Sequence, residues 1–297
     1  MDNRKKGNVL TKRLDRRAWV FIIPSIVLII AFVFYPMLQS LFTSFQSGAG
    51  NNLNWAGITN YKRLLTDSTF KKALGNTVLF LVIQVPIMIL LALVISSILN
   101  DKKLKCKGLF RTAIFLPCVT SLVAYSIIFK SLFATDGFVN AMLMKLNMIS
   151  EPIAWITNPV WAKILIIIAI TWRWTGYNMV FYLSGLQSID DSVYEAAEID
   201  GAGAFQKFKS ITLPLLKPII LFTTINSTIG TLQLFDEPMN ITQGGPANAT
   251  ITISQYIYNI LFKYSPDFGY AAAVSYVVVV LIVVLSIIQL KVGDKNE

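Results

Sequence analysis

The stretch "YEAAEIDGAGAFQKFKSITLPLL", from Tyr194 to Leu216, is the most soluble-looking part of a chain that is otherwise rich in apolar runs. Just before it, Ser188 and Asp191 have the three-residue spacing of a capping box, which predicts the start of a helix with Ser188 as its N-cap. Gly201 is the residue type that commonly follows the last turn of a helix. These signals together predict a short helix that ends at Gly201.

The segment that follows predicts a second helix with one apolar face. Phe205, Phe208 and Ile211 recur at a spacing of three, so we expect this stripe to pack against the rest of the protein. Pro214 and Pro218 come next, and we expect them to mark the boundary between this helix and the apolar segment beyond it.

Six apolar segments are each long enough to cross a membrane. Of the 297 residues, 55% are hydrophobic and only 14% are charged, whereas a soluble domain carries roughly a quarter charged residues. A spanning helix needs about 20 mostly apolar residues. The segments that meet this length are 18–43, 75–99, 112–133, 161–185, 218–235 and 268–290. They predict an all-α integral membrane protein with six transmembrane helices, the first of which is too long for a cleaved signal peptide.

The distribution of lysine and arginine predicts the orientation of these spans. Seven such residues precede the first span and five lie between the second and third, whereas the 134–160 and 236–267 loops carry one each. Basic segments are retained in the cytoplasm, so both termini and the polar loop are predicted to be cytoplasmic, although the first outer loop carries four basic residues. The predicted organisation is a basic N-terminus over 1–17, a six-span domain over 18–290 with the cytoplasmic loop 187–217, and a tail over 291–297.

Composition excludes several kinds of site. The chain has no histidine and two cysteines, too few for a disulfide framework or a four-ligand zinc site, and we predict no metal site. The formal net charge is +10, which in a membrane protein sets topology, so we predict no nucleic-acid partner. A phosphate-binding G-x-x-x-x-G-K-[ST] motif is missing from the sequence, so the chain is predicted not to hydrolyse ATP at a site of this kind.

The polar stretch resembles the EAA signature of permease subunits in binding-protein-dependent ABC importers. That pattern is Glu-Ala-Ala, three residues, Gly, nine residues, Ile, one residue, Leu-Pro. It is filled here by Glu195, Ala196, Ala197, Gly201, Ile211, Leu213 and Pro214. Further stretches resemble the carbohydrate branch of the family, of the maltose and glycerol-phosphate permease type, namely "PSIVLIIAFVFYPMLQSLFTSF", "FRTAIFLP", "GFVNAML", "FDEPMNITQGGPANAT" and "DFGYAAAVSY".

The resemblance implies a fold, a function and a set of partners. The fold is that of a type I ABC importer permease (MetI-like), and the function is uptake of a sugar across a bacterial inner membrane by ATP-driven alternating access. The 187–217 loop would be the coupling helix that docks on a cytoplasmic ATPase, which binds ATP and Mg. Two ATPase copies, a second permease and an extracytoplasmic solute-binding protein complete the implied assembly. The resemblance also implies that this chain is not itself an enzyme and holds no cofactor. The residues implied to contact the ATPase are Glu195, Ala196, Ala197, Asp200 and Gly201.

Polar and aromatic side chains within the fourth and fifth spans are candidates for the substrate cavity. Sugars are bound by amides, hydroxyls and flat aromatic faces, and polar groups inside a span usually face a pathway or another helix. The alternative is that these groups hold packed helices together. The candidates are Trp172, Tyr177, Asn178, Asn226, Ser227, Thr231 and Gln233, with Asn178 implied by its family position. Arg173 could pair with a partner subunit, reach the membrane surface or bind an anion.

Two other functions are compatible with six spans alone. One is a self-sufficient secondary transporter or channel, against which the coupling pattern and the lack of an acidic proton relay both argue. The other is a membrane scaffold whose loop recruits a partner that is not an ATPase. A scaffold would not need the polar cluster of the fourth and fifth spans.

Overall fold

The structure is a computed structural model that describes residues 19–48, 53–101 and 103–294. The predicted N-terminal tail and the last three residues of the predicted C-terminal tail lie outside the described residues. In chain order the elements are α1 (Trp19–Ser44), β1 (Gln46–Ser47), β2 (Asn54–Trp55), α2 (Thr59–Leu64), α3 (Ser68–Asn100), α4 (Lys107–Val119), α5 (Leu122–Leu132), α6 (Phe138–Lys145), α7 (Pro159–Gln187), α8 (Asp191–Ile199), α9 (Ala204–Leu232), α10 (Ile253–Tyr258) and α11 (Phe268–Asp294). The two short strands pair antiparallel, with Gln46 opposite Trp55.

Within the described residues, five helices are long and apolar enough to cross a membrane, namely α1, α3, α7, α9 and α11. The third predicted span, 112–133, is not one straight helix, because the chain bends by 101° between α4 and α5. Thr120 and Ser121, which separate them, have extended ψ angles of 151° and 129°. Periodicity cannot distinguish a straight span from a broken one, since both have the same apolar composition. Counted as one span, the bent pair completes the predicted six.

The predicted boundary at Pro214 and Pro218 is wrong, because α9 runs without interruption from Ala204 to Leu232. A proline inside a helix lacks a hydrogen-bond donor and crowds the preceding turn. Here a π-helical turn over Phe208–Thr212 precedes Pro214 and widens the helix. The predicted apolar stripe is also only partly packed, since Phe205 remains 77% exposed.

The helices that position the candidate cavity are packed closely enough to fix their register. α7 packs extensively against α3 and α4. At Gly176 of α7 an added Cβ atom would lie 2.1 Å from the Ile114 carbonyl oxygen, so the α4 and α7 backbones touch. One turn earlier, the Cys118 thiol donates a hydrogen bond of 2.7 Å to the Arg173 carbonyl. These two contacts hold α4 against α7.

The described part of the segment between α1 and α3 is joined to the bundle by hydrogen bonds. Buried Asn60 donates hydrogen bonds to the carbonyls of Ser44 (2.9 Å) and Gln46 (2.7 Å). Asp67 accepts hydrogen bonds from the hydroxyls of Tyr256 and Tyr270. Burial raises the pKa of Asp67, but these hydroxyls and two backbone amides outweigh it, so the pKa is lowered overall. An ionised Asp67 therefore ties the start of α3 to α10 and α11.

Candidate functional sites: an exposed helical hairpin and an internal cavity

The hairpin of α8 and the first turns of α9 begins two residues later than predicted. Asp190, not Ser188, is the N-cap of α8, and its carboxylate accepts a hydrogen bond of 2.9 Å from the Ser192 backbone N–H. The Ser188 hydroxyl instead donates to the Gly185 carbonyl at the end of α7, at 2.7 Å. Because the Ser188 hydroxyl is bonded to the preceding helix, it does not cap α8.

The end of α8 agrees with the prediction for Gly201. Its φ angle of +77° lies in the left-handed region that glycine adopts at little cost. The N–H of Ala202 donates to the Ala197 carbonyl at 2.9 Å, and the N–H of Gly201 donates to the Glu198 carbonyl at 3.0 Å. This pair of bonds is the Schellman motif that closes a helix and reverses the chain.

Two contacts across the turn hold α8 against α9. The Lys207 ammonium lies 2.7 Å from a Glu198 carboxylate oxygen, and that hydrogen bond, together with the charge of Lys207, lowers the pKa of Glu198. The hydroxyls of Tyr194 and Thr212 lie 3.0 Å apart. Because α9 continues into a membrane span, α8 is connected to that span through these contacts and a short turn, with no long flexible loop.

The outer face of the hairpin carries the residues predicted to contact a partner. Glu195, Ala196, Asp200 and Gly201 are exposed and Ala197 is half-buried. Among the described residues Glu195 has no ion-pair partner. Apolar side chains are also exposed on this hairpin, most of all Ile199 at 87% and Phe205 at 77%. The hairpin therefore presents an unpaired carboxylate beside small and apolar residues.

An internal cavity of about 440 Å³ lies between α3, α5, α7, α9 and the segment that follows α9. This volume is in the range of ligand pockets, on the order of 300–1,000 Å³. Six of the seven predicted cavity residues line it. The lining residues include Gln84, Trp174, Tyr177, Asn178, Asn226, Ser227, Thr231, Gln233, Asp236, Glu237 and Arg173.

Trp172 is the predicted cavity residue that the structure places elsewhere. Its ring stacks on Tyr125 with the centroids 5.7 Å apart and lies 5.4 Å from Phe129. Trp174 lines the cavity instead. The two tryptophans are separated by about 200° around a helix with 3.6 residues per turn, so only one of them can face the cavity. The sequence alone does not indicate which.

Several polar groups of the cavity wall are already ordered by contacts between helices. The Thr231 hydroxyl on α9 donates to the Gln84 side-chain carbonyl on α3 at 3.1 Å. Buried Asn178 donates to the Trp174 carbonyl at 3.1 Å, while its Oδ1 has no hydrogen-bond partner among the described residues. Gln84 was not predicted, although an isolated glutamine in an apolar span is itself a signal. The wall thus combines fixed polar groups with an acceptor that lacks a donor.

Arg173 forms an ion pair within this chain, which none of its three predicted roles included. Its guanidinium lies 3.5 Å from Glu237, and the two side chains are 9% and 3% exposed. The guanidinium also lies 5.6 Å from the ring centroid of Tyr125 and 5.3 Å from that of Trp174. Glu237 was predicted to belong to an outer loop. In the structure it directly precedes a π-helical turn over Pro238–Thr242 that folds back against α5.

The sequence is similar to one described family over most of its length. The model of the family described as "Binding-protein-dependent transport system inner membrane component" matches residues 103–295. The chain is 57% identical over 282 residues to the "Lactose transport system permease protein LacF" of Rhizobium radiobacter, covering 94% of this chain and 95% of that protein. It is 32% identical to the "Trehalose/maltose transport system permease protein MalF" of Thermococcus litoralis, covering 96% and 98%.

The fold is similar to that of solved transporters. One match is the "Crystal structure of a bacterial ABC transporter involved in the import of the acidic polysaccharide alginate". The TM-score is 0.84 at 22% sequence identity, and the match covers 96% of this chain and 98% of that one. A likeness at this identity supports the all-α importer-permease fold and nothing finer.

Proposed function

Because this chain belongs to the family of binding-protein-dependent transport system inner membrane components, we propose that it forms the path for a sugar in an ABC importer. As a member of that family it is an inner-membrane permease subunit, and ATP is hydrolysed by a partner. Family membership excludes the two alternatives of a secondary transporter and a scaffold. The observation that carries the sugar assignment is the cavity, which joins aromatic faces to amide and hydroxyl groups.

The relatives and the cavity chemistry support the same substrate class. The relatives described above are named for lactose and for trehalose and maltose. In the cavity, the rings of Trp174 and Tyr177 pack edge to face with their centroids 5.8 Å apart, and the face of an aromatic ring in such a wall is a surface on which a sugar ring can stack. Asn226, Ser227 and Gln233 add polar groups around that surface. A sugar hydroxyl would satisfy the Oδ1 acceptor of Asn178.

Transport is proposed to work by alternating access driven from the hairpin. The hairpin would dock on the ATPase and move with it, and the docking surface would be formed by Glu195, Ala196, Ala197, Asp200 and Gly201. α8 is tied to α9 by the contacts of Glu198 and Tyr194, and α9 carries Asn226, Ser227 and Thr231 of the cavity wall. A displacement of the hairpin therefore passes directly to that wall. No residue of this chain carries out chemistry in this cycle.

The proposed assembly contains one more permease, two ATPase copies and an extracytoplasmic solute-binding protein. The family description itself specifies dependence on a binding protein. A solved relative is a "bacterial alginate ABC transporter in complex with alginate pentasaccharide-bound periplasmic protein". The hairpin would lie on the cytoplasmic side together with both termini, and the segment between α1 and α3 would meet the binding protein outside.

The composition of the assembly can be measured directly. We expect a tagged chain, purified from its native membrane in a gentle detergent, to bring down an ATPase and a second permease in stoichiometric amounts by quantitative mass spectrometry. The same purification after deletion of the partner permease gene should lose the ATPase or halve its recovery. A chain that purifies alone and still transports sugar in liposomes would contradict the proposed assembly.

The sugar path is tested by removing exposed polar groups from the cavity wall. In the purified complex reconstituted with its binding protein, the double variant Asn226→Leu/Gln233→Leu should lower sugar uptake about 2- to 10-fold per lost hydrogen bond. Both side chains are exposed, so the loss of folding stability should be small.

The matched control is Thr224→Val on the same helix. The Thr224 hydroxyl donates to the Ile220 carbonyl at 2.6 Å, and the side chain lies about 200° around α9 from Asn226. Uptake should be unchanged in this control. Equal uptake by the double variant and the wild type would show that the sugar does not pass these side chains.

A further inference from the structure

The cavity wall carries more acidic than basic side chains, and one of the acidic side chains has no ion-pair partner among the described residues. Among the described lining residues there are one cation, Arg173, and two carboxylates, Asp236 and Glu237. The wall contributed by this chain therefore has a formal charge of −1 when all three are ionised. Such an imbalance inside a site of low dielectric acts strongly on any charged ligand.

The single cation is already paired with one of the two carboxylates. Arg173 is paired with Glu237 at 3.5 Å, and both side chains are nine-tenths or more buried. Its guanidinium also lies against the rings of Tyr125 and Trp174. A carboxylate ligand that displaced Glu237 from Arg173 would leave that carboxylate buried without a partner.

Asp236 is the carboxylate of the cavity wall that has no cation paired with it among the described residues. It is half-buried. A neutral sugar hydroxyl can donate a charge-assisted hydrogen bond to it, whereas a sugar carboxylate would meet a like charge. Asn178 is 1% exposed, and its Oδ1 has no partner among the described residues, so it can accept a hydrogen bond from a sugar hydroxyl. The Nε of Arg173 also has no partner there, and it can donate to a sugar oxygen.

We infer that Asp236, beside the Arg173–Glu237 pair, makes the cavity select neutral sugars over sugars that carry a carboxylate. The inference rests on the proposed function, because it assigns a charge class to the sugar in that same cavity. Asp236 acts here as a specificity-determining residue. It accepts hydrogen bonds from the hydroxyls of a neutral sugar and repels the carboxylate of an anionic one, so both attraction and repulsion contribute to the selectivity.

The test compares a uronide with its carboxamide, two ligands of nearly the same shape that differ in charge, and uses lactose as a second neutral ligand. Saturation-transfer NMR on the complete detergent-purified transporter, without binding protein, would measure lactose, methyl β-galacturonide and the neutral carboxamide of that uronide. We expect lactose and the carboxamide to bind and the uronide to bind about 10-fold more weakly or worse, where a factor of ten corresponds to ~1.4 kcal/mol. In Asp236→Asn the difference between carboxamide and uronide should fall to about 2-fold or less.

Asp136→Asn is the matched control, because Asp136 is exposed and lies outside the cavity. It changes the charge of the chain by the same amount and should retain the wild-type selectivity. Equal binding of carboxamide and uronide by the wild type, or unchanged selectivity in Asp236→Asn, would overturn the inference while leaving the proposed sugar path intact. Failure of every neutral probe to bind would overturn the proposed function itself.

Discussion

A transporter that carries Glu195→Lys is expected to insert into the membrane at wild-type levels and to lose sugar uptake. Glu195 is exposed on α8 and has no ion-pair partner among the described residues, so the fold of this chain does not depend on it. In the proposed assembly it pairs with a cation of the ATPase. Reversal of its charge would replace a charge-assisted bond with repulsion across the interface.

The measurement is uptake in liposomes together with ATPase activity stimulated by the loaded binding protein. Both should fall to background in Glu195→Lys, whereas the yield of inserted chain should not change. Glu151→Lys provides the matched control, since it is the same charge reversal at an exposed residue of the α6–α7 connection. Wild-type uptake by a stably inserted Glu195→Lys transporter would refute the coupling role of α8.

Local chemistry explains why the hairpin could be predicted in part from sequence. The end of α8 depends on the φ angle that Gly201 adopts, and glycine is the residue that allows this angle. The start of α8 was misplaced because two residues, Ser188 and Asp190, can both cap a helix. The Ser188 hydroxyl donates its hydrogen bond to the Gly185 carbonyl, and this leaves Asp190 as the cap of α8. That choice depends on where α7 ends.

In the spans and the cavity, too, the features that depend on local sequence were predicted and those that depend on packing between helices were not. Length and apolarity predicted the spans because lipid imposes both. The break between α4 and α5, and the choice of Trp174 rather than Trp172 as a cavity residue, depend on packing against other helices. Glu237 is the clearest case: it is 64 residues from Arg173 in sequence, and no local pattern indicates that the chain folds back to bring them together.

Removal of either partner of the Arg173–Glu237 pair is expected to cause the second large effect, a loss of folding stability, which a double-mutant cycle can measure. Removing one partner of a buried pair leaves an uncompensated charge and costs about 3–5 kcal/mol. Glu237→Leu is expected to be the worse single change, because a guanidinium cannot lose its proton in a protein. Arg173→Met should be milder, because the remaining carboxylate can become neutral by binding a proton.

The double variant Arg173→Met/Glu237→Leu is expected to recover most of the lost stability, since it leaves no buried charge at this place. The readout is the temperature at which half of the detergent-purified complex remains folded, measured by fluorescence-detected size exclusion. Thr224→Val serves again as the control that should behave as the wild type. If the two single losses simply add in the double variant, the pair contributes no coupling energy. In that case Arg173 would be held by Tyr125 and Trp174 rather than by Glu237, and its charge would be free to attract an anionic sugar.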